Sequence, residues 1–221
     1  MTHPLYIVDV FAEKKYAGNQ LAVIRHIADL SANEMQLIAC ETNFAETTFI
    51  LSDQPRNGDY DVRIFTPAAE VPFAGHPTLG SAFIIREEII RKPVEKVTLN
   101  LKIGQIPVTF DGEILWMKQN PPTFGQTRAP AQLAPVLRLS ETDFDTRFPI
   151  QEVSTGLPFL LVPLKNLDVV RRGRVNLDHL PELIAPLEAK MIFIFSPETY
   201  HAENHLNARM FGGVSGQVSL F

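Results

Sequence analysis

Between Phe65 and Gly80 the chain reads FTPAAEVPFAGHPTLG, an extended apolar run that ends in Ala74-Gly75-His76-Pro77 and passes at once into helix-forming residues. A glycine just ahead of a helix start leaves backbone N–H groups bare. Those groups, with the helix dipole, suit an anionic part of a substrate. His76 adds a titratable ring to the same turn, fit to act as a general acid, an anion contact or a helix cap. Glu46 is the second candidate, in Asn43-Phe44-Ala45-Glu46-Thr47-Thr48-Phe49. It falls where a helix ends and a strand begins. A carboxylate at the rim of a cleft can take a proton from a carbon beside an activating group and return it elsewhere, without a cofactor. The local sequence also fits an exposed strand-end glutamate. Asp9, Asn19 and Gln20 read as turn residues.

The elements that must position these groups are mostly strands. Leu5 to Val10 and Leu21 to Arg25 are predicted strands, as are Thr47 to Leu51 and Tyr60 to Phe65. Ser31 with Glu34 three residues on is a capping box that opens a helix through about Glu41. Pro77 to about Ile90 reads as a helix, apolar nearly all round and therefore buried. Val94 to Leu101 alternates apolar and polar residues, the mark of a half-buried strand. Ile106 to Phe110 and Ile114 to Gln119 flank Asp111-Gly112, a hairpin signal. Proline-rich Asn120 to Pro135 reads as a connection between two lobes, 1–122 and 123–221. In the second lobe the pattern predicts helices over Ala131 to Leu139 and Leu177 to Leu187. It predicts strands at Glu152 to Val153, Pro158 to Val162, Lys190 to Phe195 and His201 to Phe211.

Composition narrows the function classes. The 221 residues are 45% hydrophobic, enough for a sizeable core, and carry a net charge of −5. That balance lacks the basic footprint of a nucleic-acid binder. The apolar runs are far shorter than a membrane span, and the N-terminus has no signal-peptide pattern. The single cysteine, Cys40, excludes an intrachain disulfide and fits a reducing cytoplasmic setting. His201, Glu203 and His205 fall on a loop and strand without HExxH spacing, so no metal site is expected. Ser215 lacks the strand–turn–helix setting of a hydrolase nucleophile. Walker and Rossmann glycine patterns are absent, so no nucleotide cofactor is expected.

Taken in order, several segments resemble the PhzF-like family, the phenazine-biosynthesis isomerase type. They are Asp9-Val10-Phe11 with Gly18-Asn19-Gln20-Leu21-Ala22-Val23, Glu41-Thr42-Asn43 with Ala45-Glu46-Thr47-Thr48-Phe49, and Phe65-Thr66-Pro67 with Glu70 to Gly80. Val153-Ser154-Thr155-Gly156-Leu157-Pro158 and Arg209-Met210-Phe211 match more weakly. The resemblance implies an α+β, two-lobed fold of the diaminopimelate-epimerase type, each lobe a strand barrel around a central helix, with the active site between lobes. It implies that Glu46 is the proton shuttle and that Ala45, Gly75 and His76 bind a small carboxylate-bearing substrate, with no metal or cofactor. It also implies a homodimer. The phenazine-pathway member isomerises a dihydro-hydroxyanthranilate. Epimerase relatives use two cysteines, and Cys40 lies outside both motif positions.

After the Arg-x-Phe strand the family continues into an Asp-Pro-Ala-Thr-Gly-Ser-Ala block and a second central helix, whereas this chain reads Gly212-Gly213-Val214-Ser215-Gly216-Gln217-Val218-Ser219-Leu220-Phe221. The resemblance therefore implies a C-terminally shortened second lobe, as a frameshifted gene product would have. That lobe would lack a catalytic carboxylate and expose apolar strand faces. An inactive remnant or a small-ligand-binding protein stands as the alternative to an isomerase.

Overall fold

The computed structural model describes residues 2–27, 29–212 and 218–220, the last three as backbone. Ser215, weighed above as a nucleophile, lies outside them. The chain divides into two compact units, Met1–Asn120 and Pro121–Phe221. Among the described residues no helix is long and apolar enough to cross a membrane.

The first unit begins with β1 (Leu5–Val10), β2 (Asn19–Arg25), α1 (Ala32–Thr42), β3 (Glu46–Ile50), β4 (Tyr60–Phe65) and β5 (Glu70–Val71). After them come α2 (Gly75–Ile84), β6 (Lys96–Leu101), β7 (Gly104–Asp111) and β8 (Ile114–Met117). One sheet takes the order β1-β2-β3-β4-β6-β7-β8, with β5 paired to β4. Helix α2 touches β1, β2 and β3 at one end of that order and β6, β7 and β8 at the other. A sheet whose two edge strands both reach one helix must curl around it. That explains why α2 is buried almost all round, from His76 through Ala82 and at Ile84. Gly80 makes the close approach possible. A Cβ there would stand 2.5 Å from Leu21 Cδ2 and 2.9 Å from Val10 Cγ2. Its buried hydroxyls are satisfied: Thr78 Oγ1 donates to the Ala74 carbonyl (2.7 Å) and Ser81 Oγ to Thr48 Oγ1 (2.9 Å).

Strand alternation sorts the side chains around that helix. In β6, Val97, Leu99 and Leu101 are buried while Lys96, Thr98 and Asn100 turn outward. β3 is covered on both faces. Thr48 and Ile50 face α2, whereas Phe49 packs with Met35 and Ala39 of α1. The Ser31–Glu34 capping box opens α1 as the sequence predicts, and Asn43 closes it in the left-handed region, φ 54°. The β7–β8 hairpin pairs Asp111 with Ile114, so its two-residue loop is Gly112-Glu113, with Gly112 at φ 60°.

Helix α2 begins two residues earlier than the sequence predicts, at Gly75 with Ala74 as N-cap. Pro77 is the third residue of the helix rather than the first, where its missing N–H is still no loss. The helical run also changes character at its end. Ile85–Ile90 is a π-helical turn, closed by Arg91 at φ 54°.

The second unit holds β9 (Thr123–Arg128), α3 (Pro130–Leu137), β10 (Ile150–Ser154), β11 (Pro158–Pro163), α4 (Leu167–Arg172) and α5 (Leu180–Ile184). β12 (Ile192–Ser196), β13 (Asn207–Phe211) and β14 (Val218–Leu220) complete it. The six strands lie in chain order in one sheet, antiparallel except for β11 with β12. Leu160, Val162, Ile192 and Ile194 pack one face against Leu133, Leu137, Val170 and Leu183 of the helices. Phe159, Phe193 and Phe195 sit half-buried on the other face, in edge and tilted contacts. A groove of about 360 Å³ there is lined by Phe124, Phe148, Leu161, Phe195 and Leu206.

Several sequence expectations change here. Much of Asn120 to Pro135 is not a connection but strand β9 and the start of α3. The helix expected over Leu177 to Leu187 is only Leu180–Ile184, with Pro181 in its first turn and Pro186 just beyond its end. Helix α4, capped by the Asn166 side chain, was not anticipated. The strand expected from His201 starts at Asn207, after an exposed turn that holds His201, Glu203 and His205.

Candidate active site

Glu46 is the first residue of β3, delivered by the bend that follows the left-handed Asn43. It shares the parity of Thr48 and Ile50, so alternation turns its side chain toward α2. β2 runs parallel to β3 with Leu21 opposite Glu46. Asn19 shares the parity of Leu21 and Val23, which pack with α2 residues in the same core. His76 sits in the first turn of α2 and meets both strands. Its Nε2 lies 3.3 Å from Glu46 Oε2, and its Nδ1 lies 3.3 Å from Asn19 Nδ2.

The β4–β5 hairpin fixes the chain's entry into α2. Arg63 makes a two-pronged pair with Glu70, Nε to Oε1 at 2.8 Å and Nη2 to Oε2 at 2.9 Å. Lys102 Nζ adds a third contact to Glu70 at 2.8 Å. These cations hold the Glu70 carboxyl down to about 2, the Arg63 hydrogen bond acting most strongly.

Burial gives the Glu46–His76 pair its character. It pushes the Glu46 carboxyl up to about 7. It drives the His76 ring down to about 4, against a smaller upward pull from a hydrogen bond to the Gln20 backbone. At neutral pH His76 is therefore uncharged, and the 3.3 Å approach is not an ion pair. Nor is it an aligned hydrogen bond: Glu46 Oε2 and His76 Nε2 are both buried without a partner. Two unpartnered polar atoms side by side cost free energy, which a ligand that engages them would recover.

Beside them the first turn of α2 is open. Ala74 supplies no side-chain acceptor to its N–H groups. Neither packing nor backbone strain explains Gly75. Its φ is not positive, and the nearest atom to an added Cβ is Met117 Cε at 3.9 Å. The missing side chain keeps bulk away from the N–H groups of Gly75 and His76, which no cap side chain engages. Ala45 is exposed, next to Glu46. The structure thus groups Glu46 with His76 and Gly75, and adds Asn19, whose residue type alone points to a turn. The signal for Asn19 was there, because it lies two residues before Leu21 in an alternating strand. Asp9 does serve a turn, accepting from the Tyr16 N–H at 3.1 Å. Among the described residues no three His, Cys, Asp or Glu side chains cluster as metal ligands would.

Comparison with known proteins places these residues in context. The family described as "Phenazine biosynthesis-like protein" (PhzC-PhzF) matches residues 8–218. Trans-2,3-dihydro-3-hydroxyanthranilate isomerase of Pseudomonas aeruginosa is 33% identical over 221 residues, which span 98% of this chain and 74% of that protein. The crystal structure of a phenazine biosynthesis protein of the PhzF family from Bacillus anthracis superposes with a TM-score of 0.85 at 30% identity. The match covers 96% of this chain and 73% of the other. A probable proline racemase from Agrobacterium radiobacter shares the fold alone, with a TM-score of 0.59 at 12% identity over 97% of this chain and 72% of its own. These structures bear out the α+β fold of diaminopimelate-epimerase type that the family resemblance implies. The chain belongs to the phenazine biosynthesis-like (PhzC-PhzF) family of isomerases.

Proposed function

We propose that the protein isomerises a small carboxylate-bearing substrate by moving one proton, with Glu46 as the acid/base that carries it. The observation that supports this reading most is Glu46 itself, a half-buried carboxyl whose Oε2 is shielded from water, pushed up to about 7 and facing an uncharged histidine. A group whose pKa lies near the working pH both accepts and returns a proton readily. The Glu46 carboxylate takes a proton from a carbon beside an activating group, and the C–H electron pair moves into the adjacent π system. The resulting carboxylic acid then protonates another carbon of the same molecule. No electrons are gained or lost overall, and Glu46 returns to its starting form. The substrate's own carboxylate would lie at the N–H groups of Gly75 and His76, with Ala45 at the edge of the site.

The name of the Pseudomonas aeruginosa relative supplies the first compound to try, trans-2,3-dihydro-3-hydroxyanthranilate. The measurement is deuterium uptake from D₂O by mass spectrometry, for wild type and Glu46→Gln. Loss of a general acid/base predicts a fall of about 10²- to 10⁴-fold in the variant. The wild-type rate of proton removal should rise as pH climbs through about 7. Undiminished exchange in Glu46→Gln removes Glu46 from the mechanism. Saturable binding without exchange by the wild type, across this compound and a panel of carboxylates, favours the small-ligand-binding alternative.

A further inference from the structure

We propose that Asn19 is a positioning residue: it fixes His76 in the tautomer that carries its ring proton on Nε2, making His76 a hydrogen-bond donor beside Glu46 rather than a second base. The inference rests on the reading of Glu46 and His76 as the proton-transfer site, and it concerns how that site is set.

The chemistry at Nδ1 sets the tautomer. The Asn19 amide nitrogen, 3.3 Å away, is a donor only, so a hydrogen bond there needs a lone pair on Nδ1. An uncharged imidazole has one proton, and it must then sit on Nε2. Nε2 is the atom that faces Glu46 Oε2 at 3.3 Å without closing an aligned hydrogen bond on it. The N–H is therefore not spent on Glu46, and it stays buried until a third atom is brought against it. A substrate oxygen on which charge builds during proton removal is what such a fixed, dry donor stabilises.

The same arrangement keeps the chemistry single-based. A lone pair on Nε2 would compete with Glu46 for the substrate proton, whereas a proton there leaves Glu46 as the sole acceptor. The proton is then taken and returned on the same side of the substrate. The strand that supplies Asn19 also supplies a competitor, since the Gln20 backbone hydrogen-bonds the ring and favours its protonated form. A carbonyl accepts only. If it held the proton on Nδ1, the Asn19 amide would have to present its oxygen instead.

The test is long-range ¹H–¹⁵N correlation on protein labelled with ¹⁵N-histidine at pH 7.5, where His76 is uncharged. The expected wild-type spectrum shows Nδ1 without a proton and Nε2 with one. Asn19→Ala should move both nitrogens toward the average of two tautomers. Asn19→Asp should reverse the assignment, because a carboxylate accepts from Nδ1–H, and should raise the titration midpoint of the ring by at least one pH unit. A wild-type proton on Nδ1 overturns the proposal, as does an Asn19→Ala spectrum identical to wild type. The wild-type spectrum decides the tautomer even if both variants fail to fold. Its outcome is also independent of the Glu46→Gln exchange result, so failure of the proposal and failure of the functional reading are told apart.

Discussion

At the scale of single residues, Gly75 separates a binding role from a structural one. Its φ is not positive and an added Cβ would make only an ordinary contact with Met117 Cε at 3.9 Å, so Gly75→Ala meets no strain inside the unit. Replacing a helical glycine should leave stability unchanged or raise it by up to about 1 kcal/mol. The new methyl group would stand where an anion approaches the first-turn N–H groups. Losing one hydrogen bond to a charged group, worth about 1.5–3 kcal/mol, should weaken carboxylate binding about 10- to 100-fold. Titration calorimetry beside a thermal melt checks both halves. Equal affinity in the variant would show that the turn is not the anion contact. Asn19 carries the complementary lesson. Its type and its place after a glycine said turn, and it does start a strand, but parity along that strand aims its amide at His76. Residue type alone did not reveal it, because the partner is 57 residues away and becomes a neighbour only once α2 is wrapped by the sheet.

At the scale of elements, the first unit depends on how close α2 lies to β1 and β2. Gly80→Ala puts a methyl group 2.5 Å from Leu21 Cδ2, inside a fully buried neighbourhood. Overpacking of this kind costs about 1–3 kcal/mol, and the better helix propensity of alanine offsets up to about 1. Denaturant unfolding should therefore show a net loss of about 1–2 kcal/mol, together with displacement of the strand that carries Asn19. A Gly80→Ala protein as stable as wild type would mean that β1 and β2 can back away from the helix freely. Elements with a clear period were legible in sequence. Val97-Leu99-Leu101 gave β6, and Ser31 with Glu34 gave the start of α1. Those that lacked one were not. β9 reads Thr-Phe-Gly-Gln-Thr-Arg with almost every residue exposed, so nothing alternates. α4 is six residues long, too short to display a stripe, and is set by the Asn166 cap and the Arg172–Asp168 pair. The start of α2 was misplaced because a proline is tolerated throughout the first turn, not at one position only.

At the scale of the whole molecule, the site leaves a mark on stability that needs no substrate. Glu46 has its folded pKa raised from 4.5 to about 7, so the folded state holds a proton that the unfolded chain releases between those values. Stability from this group is complete below 4.5 and is lost as pH rises through 7, by about 3 kcal/mol in all. His76 has its folded pKa depressed from 6.5 to about 4, so between those values the unfolded chain binds a proton that the folded state refuses. Its share is complete above 6.5 and is lost as pH falls through 4, again by about 3 kcal/mol. From pH 4.5 to 6.5 the two slopes oppose each other and largely cancel. Removing either group exposes the other. Relative to wild type, Glu46→Gln should gain stability steadily as pH rises from 4.5 to 7. His76→Gln should gain it as pH falls from 6.5 to 4. Urea unfolding of the three proteins at half-unit pH intervals measures both differences, and ionisations elsewhere in the chain cancel in the subtraction. Curves that run parallel to wild type would mean that the pair is solvated and ordinary, and the case for a buried proton carrier at Glu46 would fall with it.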